Sequence, residues 1–320
     1  MVVCEWEAGG SYLTVMKPQS KLIVLGALLL GLCLPLSAAP VRVLYFSKSS
    51  GWEHSTVKRV DGKPSYSENV LASLAAKNDF EFTFSKDGSL FSPEYLAKFD
   101  VIMFYTSGDL LAVGTDGQPA MTAAGKQALL DAVAGGKGFF AVHSGSDTFH
   151  TGESGGGNNP IRLQRYKNYG AGADAYIKML GGEFIKHGPQ QIAVATVVSP
   201  DFPGFEKIGA EIKVTEEWYS LKEFGANIHV LLRMETDGMQ GSDYKRPSYP
   251  LAWAANYGKG RVIFNAMGHR EDVWDSAAYQ SMLIGSIKWA AGLVKADLSP
   301  NLEKVAPGHA TLPAPSAETK

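Results

Sequence analysis

Four histidines lie close to segments with the sequence pattern of β-strands, and they are the first candidates for chemistry: His54, His143, His187 and His269. Three of them come at or soon after such a segment, and His187 follows a Gly-Gly-Glu-Phe turn. In a parallel α/β sheet, ligands bind beyond the carboxyl ends of the strands, so side chains placed there converge on one crevice. Imidazoles transfer protons near neutral pH and bind divalent metals. Each histidine taken alone could also be a packing residue, but the set predicts a functional site.

The eight residues that begin with His143 (HSGSDTFH) contain the highest density of reactive side chains. A strand followed by a glycine-containing turn is typical of a nucleophile elbow, but the G-x-S-x-G frame is absent, so Ser144 is a weak candidate for a nucleophile. If the segment is helical, Asp147 and His150 share a face with His143 and offer metal ligands at one-turn spacing. A divalent metal bound by His143, Asp147 or His187 is therefore an alternative to proton transfer, although no H-E-x-x-H signature supports it.

Two adjacent carboxylates, Glu216 and Glu217, follow the strand-like run 211–214 and precede Trp218 and Tyr219. Neighbouring side chains point to opposite faces of a strand, so we expect one carboxylate to enter the crevice while the other stays solvated. A carboxylate beside histidines orients an imidazole or acts as a general base. The alternative is an acidic pair on the surface.

Apolar runs and helical patterns alternate along the chain and predict the elements that position these side chains. The predicted strands are 41–46, 80–84, 101–105, 138–142, 191–198, 228–234, 251–256 and 261–266, and the predicted helices are 65–77, 122–133, 173–180 and 277–291. Strands that alternate with helices predict a parallel sheet covered by helices on both faces. Because the last two strands are separated by a short glycine-containing turn, we expect an added antiparallel hairpin.

Composition excludes one class of partner. The 320 residues carry 19% charged and 45% hydrophobic side chains, which is ordinary for a globular protein. The formal net charge of −2 provides no basic field to attract phosphate groups, so we expect no nucleic-acid partner. A small-molecule ligand is the better expectation.

The amino-terminal segment has the pattern of a secretory signal peptide. Lys17 and Lys21 precede an apolar stretch over 22–34, which is too short to span a membrane, and Ser37-Ala38-Ala39 supply small residues for cleavage. We expect translation to start at Met16 and cleavage near Ala38 or Ala39, which gives a periplasmic or secreted protein without stable membrane insertion. The predicted organisation is an extension and signal peptide over 1–39, a domain over 40–295 and a flexible tail rich in Pro and Ala over 296–320.

The two cysteines, Cys4 and Cys33, both precede the predicted cleavage point. The mature chain then has no disulfide and no cysteine nucleophile. Its core must hold the fold without covalent help, which a chain of this size can do.

Several motifs together resemble the ThuA-like (trehalose utilisation) family of the class I glutamine amidotransferase-like superfamily. They are V-L-Y-F-S-K-x-x-G-W-E-H from Val43, G-x-F-A-V-H-S from Gly138, G-G-E-F-x-x-H from Gly181, E-E-W-Y from Glu216 and Y-G-K-G-R-V-x-x-x-x-x-G-H from Tyr257. The resemblance covers about 41–292. It implies a flavodoxin-like three-layer sandwich and a histidine, His143, where the superfamily has its elbow cysteine, so the chain is not a glutamine amidotransferase.

The resemblance also implies a sugar-related activity, because the family is associated with trehalose and related sugars, including 3-keto sugars. Our leading hypothesis is a sugar-processing hydrolase, lyase or isomerase that uses histidine and glutamate acid–base chemistry. The catalytic candidates are His143, Glu217, His54 and His269, and the substrate-binding candidates are Asp147, His187, Tyr219 and Trp253. A non-catalytic sugar-binding protein and a metal-assisted hydrolase are the alternatives.

Overall fold

A computed structural model describes residues 10–11, 13–14, 39–152 and 164–315. Contacts divide the chain into two units, Met1–Ala38 and Ala39–Lys320, and every element described below belongs to the second. The predicted signal peptide, both cysteines and the glycine run 155–157 lie outside the described residues. Among the residues that are described, no helix is long and apolar enough to cross a membrane.

The strands and helices of the described residues alternate over the first half of the chain. The strands are β1 (Val41–Phe46), β2 (Phe80–Ser85), β3 (Val101–Phe104), β4 (Gly138–Val142), β5 (Glu183–His187), β6 (Gln191–Val197), β7 (Glu211–Glu216), β8 (Tyr219–Lys222), β9 (His229–Glu235), β10 (Tyr249–Tyr257) and β11 (Gly260–Asn265). The helices are α1 (Tyr66–Asn78), α2 (Pro93–Leu96), α3 (Ala123–Ala134), α4 (Ala175–Leu180), α5 (Glu271–Asp275), α6 (Ala277–Ala290) and α7 (Leu302–Val305). The bounds of α1, α3 and α6 differ by at most one residue from the sequence prediction.

Nine strands form one mixed sheet in the order β2-β1-β3-β4-β11-β10-β9-β6-β7. The strands from β2 to β11 pair in parallel. The remaining pairs are antiparallel, so β10 and β6 run against all the others. The structure confirms the α/β fold and the hairpin of β10 and β11, but the antiparallel part extends through β9, β6 and β7 and is larger than the single predicted hairpin.

The helices form two groups around this sheet. Helices α1, α5 and α6 contact one another, α3 contacts α2 and α4, and both groups reach β11. Helix α1 begins with a capping box, in which the Ser65 hydroxyl accepts from the Glu68 backbone while the Glu68 carboxylate accepts from the Ser65 backbone. Such a box satisfies two amide groups that have no partner within the helix.

The carboxyl ends of β1, β3, β4 and β11 lie side by side at one edge of the sheet, because these strands are adjacent and parallel. Strand β2 pairs with one side of β1 and β3 pairs with the other side, so the direction of the strand order reverses at β1. Ligands of open α/β sheets bind at such a reversal. The segments that follow these four strands carry His54, Tyr105, His143 and His269.

A second, two-stranded sheet pairs β5 with β8 and places His187 opposite Tyr219. The sequence analysis did not predict this sheet. Both strands are short and carry charged residues, Glu183 and Lys222, which are buried and paired with each other at 2.9 Å. In a sequence, a charged residue within a strand pattern indicates a surface position unless its buried partner is known.

The described part of the carboxyl-terminal segment is packed against β9, which differs from the flexible tail that composition predicted. Leu302 and Ala306 are buried. The Asn301 carboxamide bonds both backbone groups of Val230, and Arg233 donates to the Val305 carbonyl at 2.9 Å. These backbone contacts depend on tertiary position, which a Pro- and Ala-rich composition does not reveal.

We expect truncation after Lys295 to destabilise the protein. The cut removes the buried Leu302 side chain, and the burial of one such side chain stabilises a fold by about 2 kcal/mol. Thermal unfolding of the truncated and whole proteins measures the effect. Truncation after Pro315 is the control, because it keeps the contacts made by Asn301 and Val305; equal melting temperatures for all three proteins would contradict the prediction.

Candidate functional site

The carboxylate of Glu217 lies at the centre of the candidate site. Its Oε2 is 3.1 Å from His269 Nδ1, 3.5 Å from His143 Nε2 and 3.9 Å from His54 Nε2. Its Oε1 is 3.5 Å from His187 Nδ1. The structure therefore brings the four histidines of the sequence analysis to one carboxylate.

His143 occupies a strained turn directly after β4. Its φ is 44°, a left-handed conformation that costs a residue other than glycine of the order of 1–3 kcal/mol. A Cβ atom on Gly145 would lie 2.7 Å from the Ala141 side chain, so the turn requires glycine there. The turn resembles the elbow that the sequence suggested. The buried hydroxyl of Ser144 has no hydrogen-bond partner among the described residues, so the structure shows no base that would activate it as a nucleophile.

A backbone hydrogen bond fixes the orientation of the His143 ring. Its Nδ1 lies 2.9 Å from the carbonyl oxygen of Ala266, which can only accept, so Nδ1 carries the hydrogen. The Nε2 atom consequently presents a lone pair towards Glu217 and towards His269 Nδ1, which is 3.3 Å away. A second hydrogen bond of this kind commonly sets the tautomer of a functional histidine.

Glu216 does not stay solvated, contrary to the expectation for one member of the acidic pair. It is fully buried, and its Oε2 accepts from the backbone N–H groups of Gly268 and His269 at 2.9 and 3.2 Å. Burial raises the pKa of Glu216 to about 7, although these backbone donors act in the opposite direction. Glu217 enters the site, and Glu216 holds the loop that carries His269.

Burial and mutual contact set the charges in the site. Burial lowers the pKa of His143 to about 3, and it also lowers the pKa of His54, so both rings are neutral. For Glu217, burial favours the neutral acid, but the neighbouring imidazoles of His143, His269 and His54 hold its pKa far below the usual range. Burial likewise opposes a charge on His269, but the Glu217 carboxylate outweighs it and raises the pKa of His269.

A chain of buried charges supports the site on the side of β5 and β8. The His150 ring lies between the Asp147 and Glu183 carboxylates, with 2.9 Å from its Nδ1 to Glu183 Oε1. Glu183 also pairs with Lys222, and the Asp147 Oδ1 receives Arg165 at 3.3 Å. The second oxygen of Asp147 has no hydrogen-bond partner among the described residues, and its side chain is 16% exposed. Within the described part of the chain, Asp147 therefore presents one oxygen without a hydrogen-bond partner.

These neighbours set the protonation of the chain. Burial opposes charge on all three groups. For Asp147, His150 outweighs burial and lowers the pKa of the carboxyl. Both His150 and Lys222 lower the pKa of Glu183. Burial and Arg165 disfavour the charged form of His150, yet the two carboxylates raise its pKa above 6.5. The imidazolium is therefore favoured between them.

Aromatic rings form one wall of the site. The Tyr219 ring is 4.2 Å from the His143 ring and 4.0 Å from the Phe184 ring, measured between centroids. The His187 ring stacks on Tyr219 at 5.9 Å, and 41% of its side chain is exposed. Tyr219 is thus buried, and His187 lies at the solvent side.

Trp253 is not placed in the site. It is fully buried, its indole N–H donates to the Leu180 carbonyl at 2.7 Å, and its ring packs against Phe264. Trp218 is buried too, and its indole donates to the Gln191 carbonyl. Large aromatic side chains favour cores, which explains why the expectation for Trp253 was wrong.

Two positioning residues were missed by the sequence analysis. The Tyr105 hydroxyl donates to the Gly268 carbonyl at 2.9 Å and steadies the loop before His269. Gln190 lies 2.9 Å from His269 Nε2, and its other amide atom accepts from Arg270. Tyr105 follows β3 directly in the structure but is the last residue of the predicted strand 101–105, so inspecting the final residue of every predicted strand would have found it. Gln190 carries no signal in the sequence.

Among the described residues, one group of four side chains could hold a metal ion. Each of His54, His143, Glu217 and His269 offers one ligand atom, and these atoms all lie within 4.8 Å of one another. Of the three ligands that the sequence suggested, only His143 belongs to this group; Asp147 and His187 do not.

Comparisons with known proteins agree with this fold. The family model described as ThuA, trehalose utilisation, matches residues 42–290. A protein described as ThuA-like from Bacteroides uniformis has 17% identity and a TM-score of 0.56, with 81% of this chain and 95% of that chain covered. One from Parabacteroides merdae has 17% identity and a TM-score of 0.53, with 86% and 96% covered. A cytoplasmic protein from Salmonella typhimurium has 14% identity and a TM-score of 0.50, with 78% and 99% covered. No curated protein matches.

We expect His150 to make the stability depend on pH. Because its pKa is raised above 6.5 in the folded chain, its contribution is complete below that pH and is lost as the pH rises through the folded pKa. The free energy of unfolding in urea, measured at about pH 6 and about pH 9, should fall more for the wild type than for His150→Gln.

The matched control for this prediction is His229→Gln on β9, whose ring contacts the Ser199 hydroxyl and the Ser299 carbonyl. In this variant, the free energy of unfolding should differ between the two pH values by as much as it does in the wild type. If His150→Gln showed the same difference in unfolding free energy as the wild type, the ionisation of His150 would not be coupled to folding.

Proposed function

Because the chain belongs to the ThuA family, we propose that it is an enzyme acting on a sugar-derived small molecule of the trehalose or 3-keto sugar type. The observation that carries this proposal is the convergence of His54, His143, His187 and His269 on the buried carboxylate of Glu217. Packing alone does not require four imidazoles around one carboxylate. Strongly perturbed ionisable groups in a cleft are typical of functional sites.

The surroundings of the cleft fit a sugar. Trp52 follows β1, lies two residues before His54, and is 73% exposed. A tryptophan ring at the surface offers an apolar face for stacking on a sugar ring. The free oxygen of Asp147 and the Glu217 carboxylate supply acceptors for hydroxyl groups. Trp218 and Trp253 are buried, whereas Trp52 is exposed.

Asp147 is the base that we assign in this reaction. One of its oxygens is fixed by His150 and Arg165, and the other is free to accept a proton from a substrate hydroxyl. A base must be fixed within hydrogen-bond reach of the proton that it removes. We assign Tyr219, whose ring packs against His143, as a hydrogen-bond partner for the substrate. The proposed acid–base chemistry is thereby shared between the histidines around Glu217 and the Asp147 carboxylate.

The parallel half of the sheet supports a flavodoxin-like layering for the domain. With β11 counted as the fifth parallel strand, the order β2-β1-β3-β4-β11 is 2-1-3-4-5, which is the order of flavodoxin-like sheets. Two groups of helices fit the outer layers. In such folds the ligand lies at the reversal next to the first strand, where His54 and Trp52 are found.

We expect a trehalose-type or 3-keto sugar to stabilise the purified protein and to be converted by it. A ligand at 100 times its dissociation constant stabilises a fold by about 2.7 kcal/mol, which thermal unfolding detects. Trp52→Ala should weaken the binding, and Asp147→Asn should leave binding in place while slowing product formation, measured by mass spectrometry and NMR, by about 100-fold or more.

Ile192→Ala on β6 is the control for Trp52→Ala, because Ile192 is also an exposed apolar side chain, at 63%. It should behave as the wild type. Tight binding with the sugar recovered unchanged would assign the protein as a non-catalytic binding protein. The absence of any stabilising sugar would contradict the proposal.

We also propose that the protein is exported. The basic residues Lys17 and Lys21, the apolar stretch 22–34 and the small residues before Pro40 support a cleavable signal peptide. The cleavage point lies just before β1, which starts at Val41. Cleavage there leaves the whole sheet intact.

Expression of the full chain in a Gram-negative host should give a periplasmic product that begins at Ala39 or Pro40, as measured by intact mass. Leu29→Arg puts a charge into the apolar stretch and should keep the product uncleaved in the cytoplasm. Leu13→Arg, upstream of Met16, is the control and should not alter export. An uncleaved cytoplasmic wild type would refute the proposal.

A further inference from the structure

We propose that His54, His143, His269 and Glu217 form a binding site for one divalent transition-metal ion. Their four ligand atoms lie within 4.8 Å of one another. An ion with bonds of about 2.1 Å in tetrahedral geometry holds its ligands about 3.4 Å apart. The distances between neighbouring ligand atoms here include 3.1, 3.3, 3.5 and 3.9 Å. The pocket between these atoms therefore has the size of a metal site.

Two of these atoms face each other as acceptors. His143 donates its Nδ1 hydrogen to the Ala266 carbonyl, so its Nε2 has only a lone pair to offer. The atom opposite, at 3.5 Å, is the carboxylate oxygen of Glu217. Two lone pairs in a buried site repel unless a cation lies between them. A divalent ion converts this repulsion into two bonds.

Supporting contacts orient the ligands, as they do in known metal sites. Metal-bound histidines almost always have their second ring nitrogen bonded to a carbonyl, carboxylate or water. His143 satisfies this rule through the Ala266 carbonyl. Glu216 fixes the backbone N–H of His269 at 3.2 Å. The ligands are thus held in position before any ion binds.

The ligand types narrow the identity of the ion. Three imidazoles and one carboxylate suit zinc, iron, cobalt or manganese better than calcium or magnesium, which prefer oxygen ligands. The side chains of His54 and His143 are buried, whereas 12% of Glu217 and 17% of His269 are exposed. The ion would be reached from the side of Glu217 and His269.

The metal site would add a catalytic group to the proposed function. A catalytic role for the metal rests on that proposed function. A bound divalent ion polarises a carbonyl or hydroxyl oxygen of a substrate and lowers the pKa of a coordinated oxygen. The residues themselves then have separate roles: the four ligands hold the ion, and Asp147 accepts the proton. Metal binding does not require turnover, so the two proposals can fail independently.

The test is metal binding by the purified protein after removal of metals with EDTA. Titration calorimetry with Zn²⁺, Mn²⁺ and Co²⁺, together with elemental analysis, should show one ion per chain for at least one of these metals. Co²⁺ should give the visible absorption bands of a nitrogen and oxygen site. His269→Gln and His54→Gln should each bind the metal at least about tenfold more weakly.

His229→Gln is the matched control, because this histidine lies on β9 and contacts Ser199 and Ser299 instead of the four ligands. It should bind metal as the wild type does. Circular dichroism of each variant distinguishes the loss of a metal ligand from the loss of the fold. Because the His269 side chain is more exposed than that of His54, His269→Gln is the variant that should disturb the fold less. Absence of one-to-one binding in the folded wild type, or equal affinity in His229→Gln and both ligand variants, would overturn the proposal.

The outcomes also separate this proposal from the proposed function. One bound ion together with no effect of any sugar would keep the metal site and reject the sugar assignment. Sugar conversion by a protein that binds no metal would keep the sugar assignment and reject the metal site.

Discussion

The buried carboxylate of Glu217 is the constraint on which the site depends. Removing a carboxylate from water costs several kcal/mol unless partners replace the solvent. The partners here are imidazoles that come from segments far apart in the chain, among them His54, His143 and His269. Each reaches Glu217 only if the sheet, its strand order and the loops after the strands are all formed. This buried charge is therefore also the point where distant segments of the chain meet.

A second layer of charges keeps this centre in place. Glu216 binds backbone N–H groups in the loop of His269, and His150 joins Asp147 to Glu183. Both arrangements place a carboxylate where burial alone would disfavour it. They indicate that the residues around the centre are held rigid, which a site needs if it is to bind a metal ion or orient a substrate.

The strained turn at His143 connects fold and chemistry. Its left-handed backbone costs free energy, and the ring bonds to Ala266, the residue just after β11. Strain of this kind persists only where the surrounding structure over-determines it, and it concentrates at functional sites. Strand β4 delivers the residue, the neighbouring strand holds the ring, and Gly145 provides the space for the turn.

The sequence by itself determined the α/β fold, the principal helices and the set of histidines, because hydrophobic period and strand ends are local signals. Only the tertiary structure decided which side chains meet. It placed Trp253 in the core and buried Glu216 beside Glu217. Among the possible metal ligands, it put His54, Glu217 and His269 in place of Asp147 and His187. Contacts between segments more than fifty residues apart leave no periodic pattern in a single sequence; they follow from strand order and loop conformation, which only the folded chain possesses.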